Sequence, residues 1–354
     1  MDCARSVGRN TLYRVLFTAT IVACALTHTG RCGAQAPLFE SDSILELRIE
    51  APFRRMTSEA EGRFPARLIL TAGAGDTLQL ELAPRGKSRL QSGICDFPGW
   101  MLFLGNGTLG SPFEWQGVLP LVSHCKDRDS FEQLLLLEFL SYRVHNLLTD
   151  KSLRVRLASI EYYDSERGRQ VSKRLAFFLE NYDSLATRIG WNRLELRQVP
   201  PDEYEPAERN LVEVFQYFIG NTDWSYSLPA QGETVCCHNV VPIGDPAGPV
   251  FPVPFDFDQA GLVNAPYATV DPSIPIRSVR ERYYRGICGP SAELNATLGL
   301  FESYQTEIEE LFENAEYLSA RSRSGALSYV SDFFRTISDD RRVGREFLSR
   351  CRTP

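Results

Sequence analysis

Histidine, methionine and tryptophan are scarce in this chain of 354 residues, which holds four, three and four of them. No Cys-x2-Cys pair occurs, and beyond the first stretch the histidines are only His124, His145 and His238, so a zinc-thiolate centre is disfavoured. No run of Lys or Arg offsets the net charge of -7, which argues against a nucleic-acid partner. The longest apolar segment near the N-terminus, "VLFTATIVACAL", is too short for a bilayer-spanning helix. There is no Gly-x-Ser-x-Gly elbow, so a hydrolase built on one is a distant third reading. The "GKS" of "RGKSR" imitates the end of a P-loop, but Glu81 stands where that motif needs its first glycine. Neither an internal repeat nor a low-complexity tract is visible. With 43% hydrophobic residues, the chain can bury one large core or two smaller ones.

The N-terminus reads as a targeting signal. Arg5, Arg9 and Arg14 precede the apolar segment, as in the n- and h-regions of a signal peptide. Ile21-Val22-Ala23-Cys24 resembles a lipobox and Ala34-Gln35-Ala36 an A-x-A site, so residues 1–36 are expected to be removed. Export follows, to a periplasmic, outer-membrane-anchored or extracellular place, with membrane contact only through a lipid on Cys24. Six cysteines then remain, Cys95, Cys125, Cys236, Cys237, Cys288 and Cys351, an even number for an oxidising compartment. At least two disulfides are expected, Cys95 with Cys125 and Cys288 with Cys236 or Cys237. Adjacent cysteines bridge each other only with strain, so Cys236 and Cys237 are each expected to pair elsewhere.

Residues 37–185 are strand-rich. "SILELRIEA", "ARLILTA", "TLQLELAP", "GWMLFLG", "GVLPLVSH", "LRVRLASIEYY" and "RLAFFLEN" carry strand alternation or short apolar runs. One helix interrupts them, "DSFEQLLLLEFLSYRVHNLL", with Glu138 inside its apolar stretch. Beyond the Pro-rich connector "RQVPPDEYEPAE", residues 186–354 read as mainly helical, from "EPAERNLVEVFQYFIGN" to "DRRVGREFLSRC". The expectation is an α+β, two-lobed, atypical protein-kinase-like fold with a strand-rich N-terminal lobe and a helical C-terminal lobe.

Asp223, Asn239 and Asp256 follow one another along the second part, each at the edge of an element. Phosphoryl transfer uses such a set: a carboxylate near the acceptor hydroxyl, with an amide and a second carboxylate for Mg2+. Asp256 and Asp258 sit on alternate positions of an apparent strand, where they would face the same way and call for a cation. That partner is expected to be a divalent metal or, failing that, Arg277, Arg280 or Arg282.

The strings "RGKSR", "NTDW", "HN" and "PFDFDQAG", in this order over about residues 75 to 290, resemble the spore-coat-protein-H-like (CotH) kinase family or a related group of exported bacterial proteins. The resemblance implies ATP and Mg2+ or Mn2+ as substrate and cofactor and an unidentified protein as acceptor. It casts Asp223 as the catalytic carboxylate, Asn239 and Asp256 as metal ligands, and Asp258 in support on a metal. Lys87 and Glu138 would serve the nucleotide, Lys87 replacing the lysine missing from the strand around Pro120. His238 is a supporting residue at most. Asp223 and Asn239 lie sixteen positions apart, where an ordinary kinase loop has four intervening residues. That departure and the missing strand lysine keep a second class open, a catalytically inactive surface or structural binding module whose acidic cluster is neutralised by arginines.

Overall fold

The computed structural model describes residues 37–59, 61–71, 75–86 and 93–353. Residues 1–36, expected to be a targeting signal, and Lys87 lie outside the described residues. The seven strand segments read from the sequence all form: β1 Leu45–Ala51, β2 Phe64–Leu70, β3 Thr77–Arg85, β4 Gly99–Leu104, β5 Val118–Val122, β6 Val155–Asp164 and β7 Arg169–Leu179. In β1, Leu45, Leu47, Ile49 and Ala51 point inward while Glu46 and Arg48 do not, the period-two pattern of a half-buried strand.

These strands close on themselves in the order β1-β2-β3-β4-β5-β7-β6, and this corrects the two-lobed, kinase-like expectation. The architecture is a closed seven-strand mixed barrel with helices outside it, where a strand lobe stacked on a helical lobe was expected. The closing step is the parallel pairing of β1 with β6, Leu45 opposite Ala158 through Ala51 opposite Asp164. Alternation reports that a segment is a strand and which face it buries. It carries no information about a partner more than a hundred residues away, so closure was not legible.

An aromatic cluster plugs one end of the barrel. Phe53, on the short helix α1 (Phe53–Glu59), meets Trp100 and Tyr162 edge-on at centroid distances of 5.2 and 5.5 Å, and Phe97 stacks on His124 at 4.6 Å. The long helix α2 (Asp129–Leu148) matches the predicted segment and packs across β6 and β7. The run Leu175–Leu179 of β7 is therefore buried on both faces.

After α3 (Tyr182–Arg188) and α4 (Pro206–Ile219), a three-stranded sheet forms from β8 Asn192–Arg193, β9 Val240–Gly244 and β10 Val250–Pro254. Glu205 caps α4 by accepting from the amides of Ala207 and Glu208, and Pro206 follows where its missing N–H costs nothing. Helices α5 (Ser291–Ser303), α6 (Gln305–Glu313), α7 (Ala320–Ile337) and α8 (Asp340–Val343) follow, and a last helical turn, Gly344–Leu348, leads to the C-terminal residues. The chain breaks at Tyr304 between α5 and α6.

The cysteines pair in part as expected. Cys95 is bonded to Cys125, but Cys288 pairs with Cys351, and Cys236 with its neighbour Cys237, contrary to both expectations for that pair. Sequence spacing could not show that the C-terminal turn returns to residues 286–288, where Cys288 donates its amide to the Arg352 carbonyl and Arg352 donates to that of Gly286. The Cys288–Cys351 bond closes a separation of 63 residues, which in the chain-entropy picture is worth about 4 kcal/mol. The paired change Cys288→Ala with Cys351→Ala should lower the melting temperature measurably by differential scanning calorimetry. Intact mass should show six cysteines oxidised before reduction.

Candidate functional site

Helix α4 ends at Gly220, whose backbone turns left-handed at φ 66°. A Cβ there would collide with the hydroxyl of Tyr329, so the tight exit requires glycine. The chain then folds over itself: the Asp223 amide donates to Asn221 Oδ1 at 2.9 Å, and the Trp224 indole donates to the Asn221 carbonyl at 3.1 Å. Arg285 braces this turn from outside, donating to the carbonyls of Thr222 and Trp224.

The turn presents Asp223 to a set of polar side chains. His238 Nε2 lies 2.8 Å from Asp223 Oδ1, and Gln259 Nε2 donates to Oδ2 at 2.8 Å. Asn239 Nδ2 donates to the Asp223 carbonyl at 2.7 Å and to Oδ2 at 3.1 Å. The hydrogen bond to Asp223 raises the His238 pKa above its ordinary value against the effect of burial, with help from the charges of Asp223, Asp256 and Glu233.

The β9-β10 hairpin brings Asp256 to this place. Its pairs run to Val240 opposite Pro254, and one step further the Phe255 amide donates to the Asn239 carbonyl at 3.0 Å. Both Asn239 and Asp256 have left-handed backbones, φ 53° and 59°. Asn and Asp tolerate that region better than other side-chain-bearing residues, and its use just before β9 and just after β10 marks a built turn. Asp256 and Asp258 thus lie beyond the end of β10, and the strand alternation expected for them does not apply.

Asp256 also faces a small cavity of about 80 Å³ beside the barrel wall, lined with it by Arg85, Gly86, Glu138, Tyr142 and Ser123 among others. Tyr142, buried on α2 one turn after Glu138, accepts the Asp256 amide at 2.8 Å. Burial works against the Arg85 charge, but the groups around it, Tyr182, Asp256, Tyr142 and Glu138, outweigh burial and push its pKa up, the two carboxylates being the negative charges among them. Three elements, the end of β3, the middle of α2 and the loop after β10, therefore contribute one cation and two carboxylates to one pocket.

The structure brings Asp223, Asn239 and His238 together, places Asp256 next to them, and places Glu138 with Asp256 in the cavity. Asp258 is buried but does not line that cavity. Two of the three alternative arginines are engaged elsewhere: Arg280 donates to the Gly261 carbonyl, and Arg282 to those of Phe218 and Tyr329 and to Asp332. Among the described residues no three His, Cys, Asp or Glu side chains converge as a metal site. Sequence reading missed Arg85 and Gln259. Arg85 directly follows the predicted strand "TLQLELAP" and opens "RGKSR", and Gln259 follows "DFD", but neither residue type carries a mark of its own.

No family model matches the chain, and no curated protein matches it. Nothing in these comparisons identifies the spore-coat-protein-H-like family, and the site stands on its own geometry.

Proposed function

We propose that the protein is an exported phosphotransferase that takes its phosphoryl group from ATP with Mg2+ or Mn2+ and passes it to a hydroxyl of a protein acceptor. The observation that carries this reading is the meeting of Arg85, Glu138 and Asp256 in one pocket, next to an Asp223 carboxylate oriented by His238, Asn239 and Gln259. The three disulfides accord with export.

In this reading Asp223 accepts the proton of the acceptor hydroxyl. The oxygen–phosphorus bond to the acceptor forms as the bond to the leaving diphosphate breaks, giving a phosphoester and ADP. Arg85 is placed for phosphate oxygens, which guanidinium groups bind in a fork. The residues fit a hard cation of the kind that arrives with phosphates, since such ions take one or two protein oxygens and keep waters. Asn239 has committed its amide nitrogen to Asp223, which leaves its carbonyl oxygen as the ligand atom, and Asp256 offers a carboxylate. When bound, the ion would neutralise charge on the phosphates.

The test is transfer of label from γ-labelled ATP, to the protein itself or to a general acceptor, with Mg2+ or Mn2+, alongside calorimetric titration with ATP and metal. Arg85→Ala should weaken ATP binding by roughly tenfold or more, as expected for loss of a charged phosphate contact. Lys87→Ala, one residue beyond the pocket-lining Gly86, should do the same if Lys87 serves the nucleotide. Absence of both ATP binding and transfer in the wild-type protein would overturn the proposal in favour of a non-catalytic binding module.

A further inference from the structure

A second concave surface lies on the far side of α2. Leu136, Phe139, Leu140 and Leu147 recur along this helix at the spacing of one face, and with Leu311 of α6 they line a groove of about 760 Å³. Phe139, Leu147 and Leu311 are only half-buried. From residue 136 to 147 the groove follows about 17 Å of helix, or three turns.

Its rim is acidic. Glu307 and Glu310 of α6 and Glu316 of the next turn border the groove, are exposed, and pair with no cation among the described residues. The cation on this rim, Arg143, is held by both carboxylate oxygens of Asp42 and adds no net charge there. The groove is also pre-formed. Gln133 of α2 donates to the Tyr317 carbonyl at 3.0 Å and accepts the Ser319 amide at 2.7 Å, which pins the turn carrying Glu316 and the exposed Tyr317 to α2.

We propose that this groove docks a basic amphipathic helix of a partner protein. A three-turn apolar floor suits anchors at i, i+3 or i+4 and i+7 of a helix lying along it. Three unpaired carboxylates at the edge select Lys or Arg on the flanks of that helix and disfavour acidic ones. Tyr317 supplies the rigid aromatic at the rim, a residue type enriched where interfaces concentrate their binding energy. The surface is separate from the Asp223 site, so its test does not depend on catalysis.

The experiment is fluorescence anisotropy of the full chain with a labelled helical peptide of about fourteen residues, with Leu on one face and Lys on the other. Saturable binding in the micromolar range is expected, weakened by salt, and at least roughly tenfold tighter than for the same peptide with Glu in place of Lys. Combining Glu307→Lys, Glu310→Lys and Glu316→Lys should reverse that preference, and Leu311→Asp should abolish binding of both peptides. Circular dichroism of each variant checks folding; should the triple variant unfold, Glu316→Lys alone is to weaken the Lys peptide. Absence of binding, equal affinity for the two peptides, indifference to the charge reversals, or a dimer by sedimentation that Leu311→Asp disrupts would each overturn the proposal.

Discussion

Asp256→Asn should remove both ATP binding and phosphoryl transfer, whereas Asp223→Asn should leave ATP binding within about threefold and lower turnover by roughly 100- to 10,000-fold. The difference follows from where each carboxylate sits. Asp256 shares its cavity with Arg85 and Glu138, so neutralising it alters the charge balance at the place proposed for the metal and the phosphates. Asp223 is bound to His238, Asn239 and Gln259, and its loss deprives the acceptor hydroxyl of its proton acceptor without touching Arg85. Asparagine is the informative replacement at both positions. At 256 it accepts the left-handed backbone that alanine would adopt only with strain, and at 223 it keeps the shape of the side chain. Calorimetric titration with Mn2+ and ATP, together with single-turnover label transfer, separates binding from chemistry. Equal loss of binding in both variants would mean that Asp223 belongs to the nucleotide site and that the assignment of roles is wrong.

The parts of this site that were legible in the sequence are those whose residue type announces chemistry. Asp223, Asn239 and Asp256 stood out as polar residues at the edges of apolar elements, and Glu138 as a carboxylate inside an apolar helix. The nearness of Asn239 and Asp256 comes from the β9-β10 hairpin register, which sets Asn239 opposite Phe255, and that pairing is local enough to be guessed. Arg85 was passed over because an arginine at a strand end is ordinary, and only the packing of α2 against the barrel shows what it faces. The fold divided along the same line. Seven strands and helix α2 were visible as periodicities, since burial of one face imposes a period on the sequence. The parallel β1-β6 closure and the Cys288–Cys351 bond join residues far apart in the chain, and no local pattern encodes them.

Acid should unfold this protein through two buried histidines, and His145 should contribute the larger share. It lies within α2, 1% exposed, stacked on Phe215 at a centroid distance of 4.5 Å, with no hydrogen-bond partner for either ring nitrogen among the described residues. Burial alone holds its pKa down at about 3, against an ordinary 6.5. A base with a depressed folded pKa binds its proton in the unfolded chain first, so its stabilising contribution is complete above pH 6.5 and is lost as the pH falls toward 3. At about 1.4 kcal/mol per pH unit, the loss reaches on the order of 4 kcal/mol by pH 3. His124, stacked on Phe97 and lowered to about 4 mainly by burial, adds a loss of the same sign over a narrower window. His238 acts in the opposite direction, because its raised pKa gives a contribution that is full below 6.5 and fades as the pH climbs through the raised value. Urea unfolding followed between pH 7.5 and 3.5 should therefore show a steep decline below 6.5, and His145→Leu should flatten it by removing one of the two protons taken up. If His145→Leu declines as steeply as the wild type, the imidazole is not buried neutral, and the burial of His145 against Phe215 is wrong.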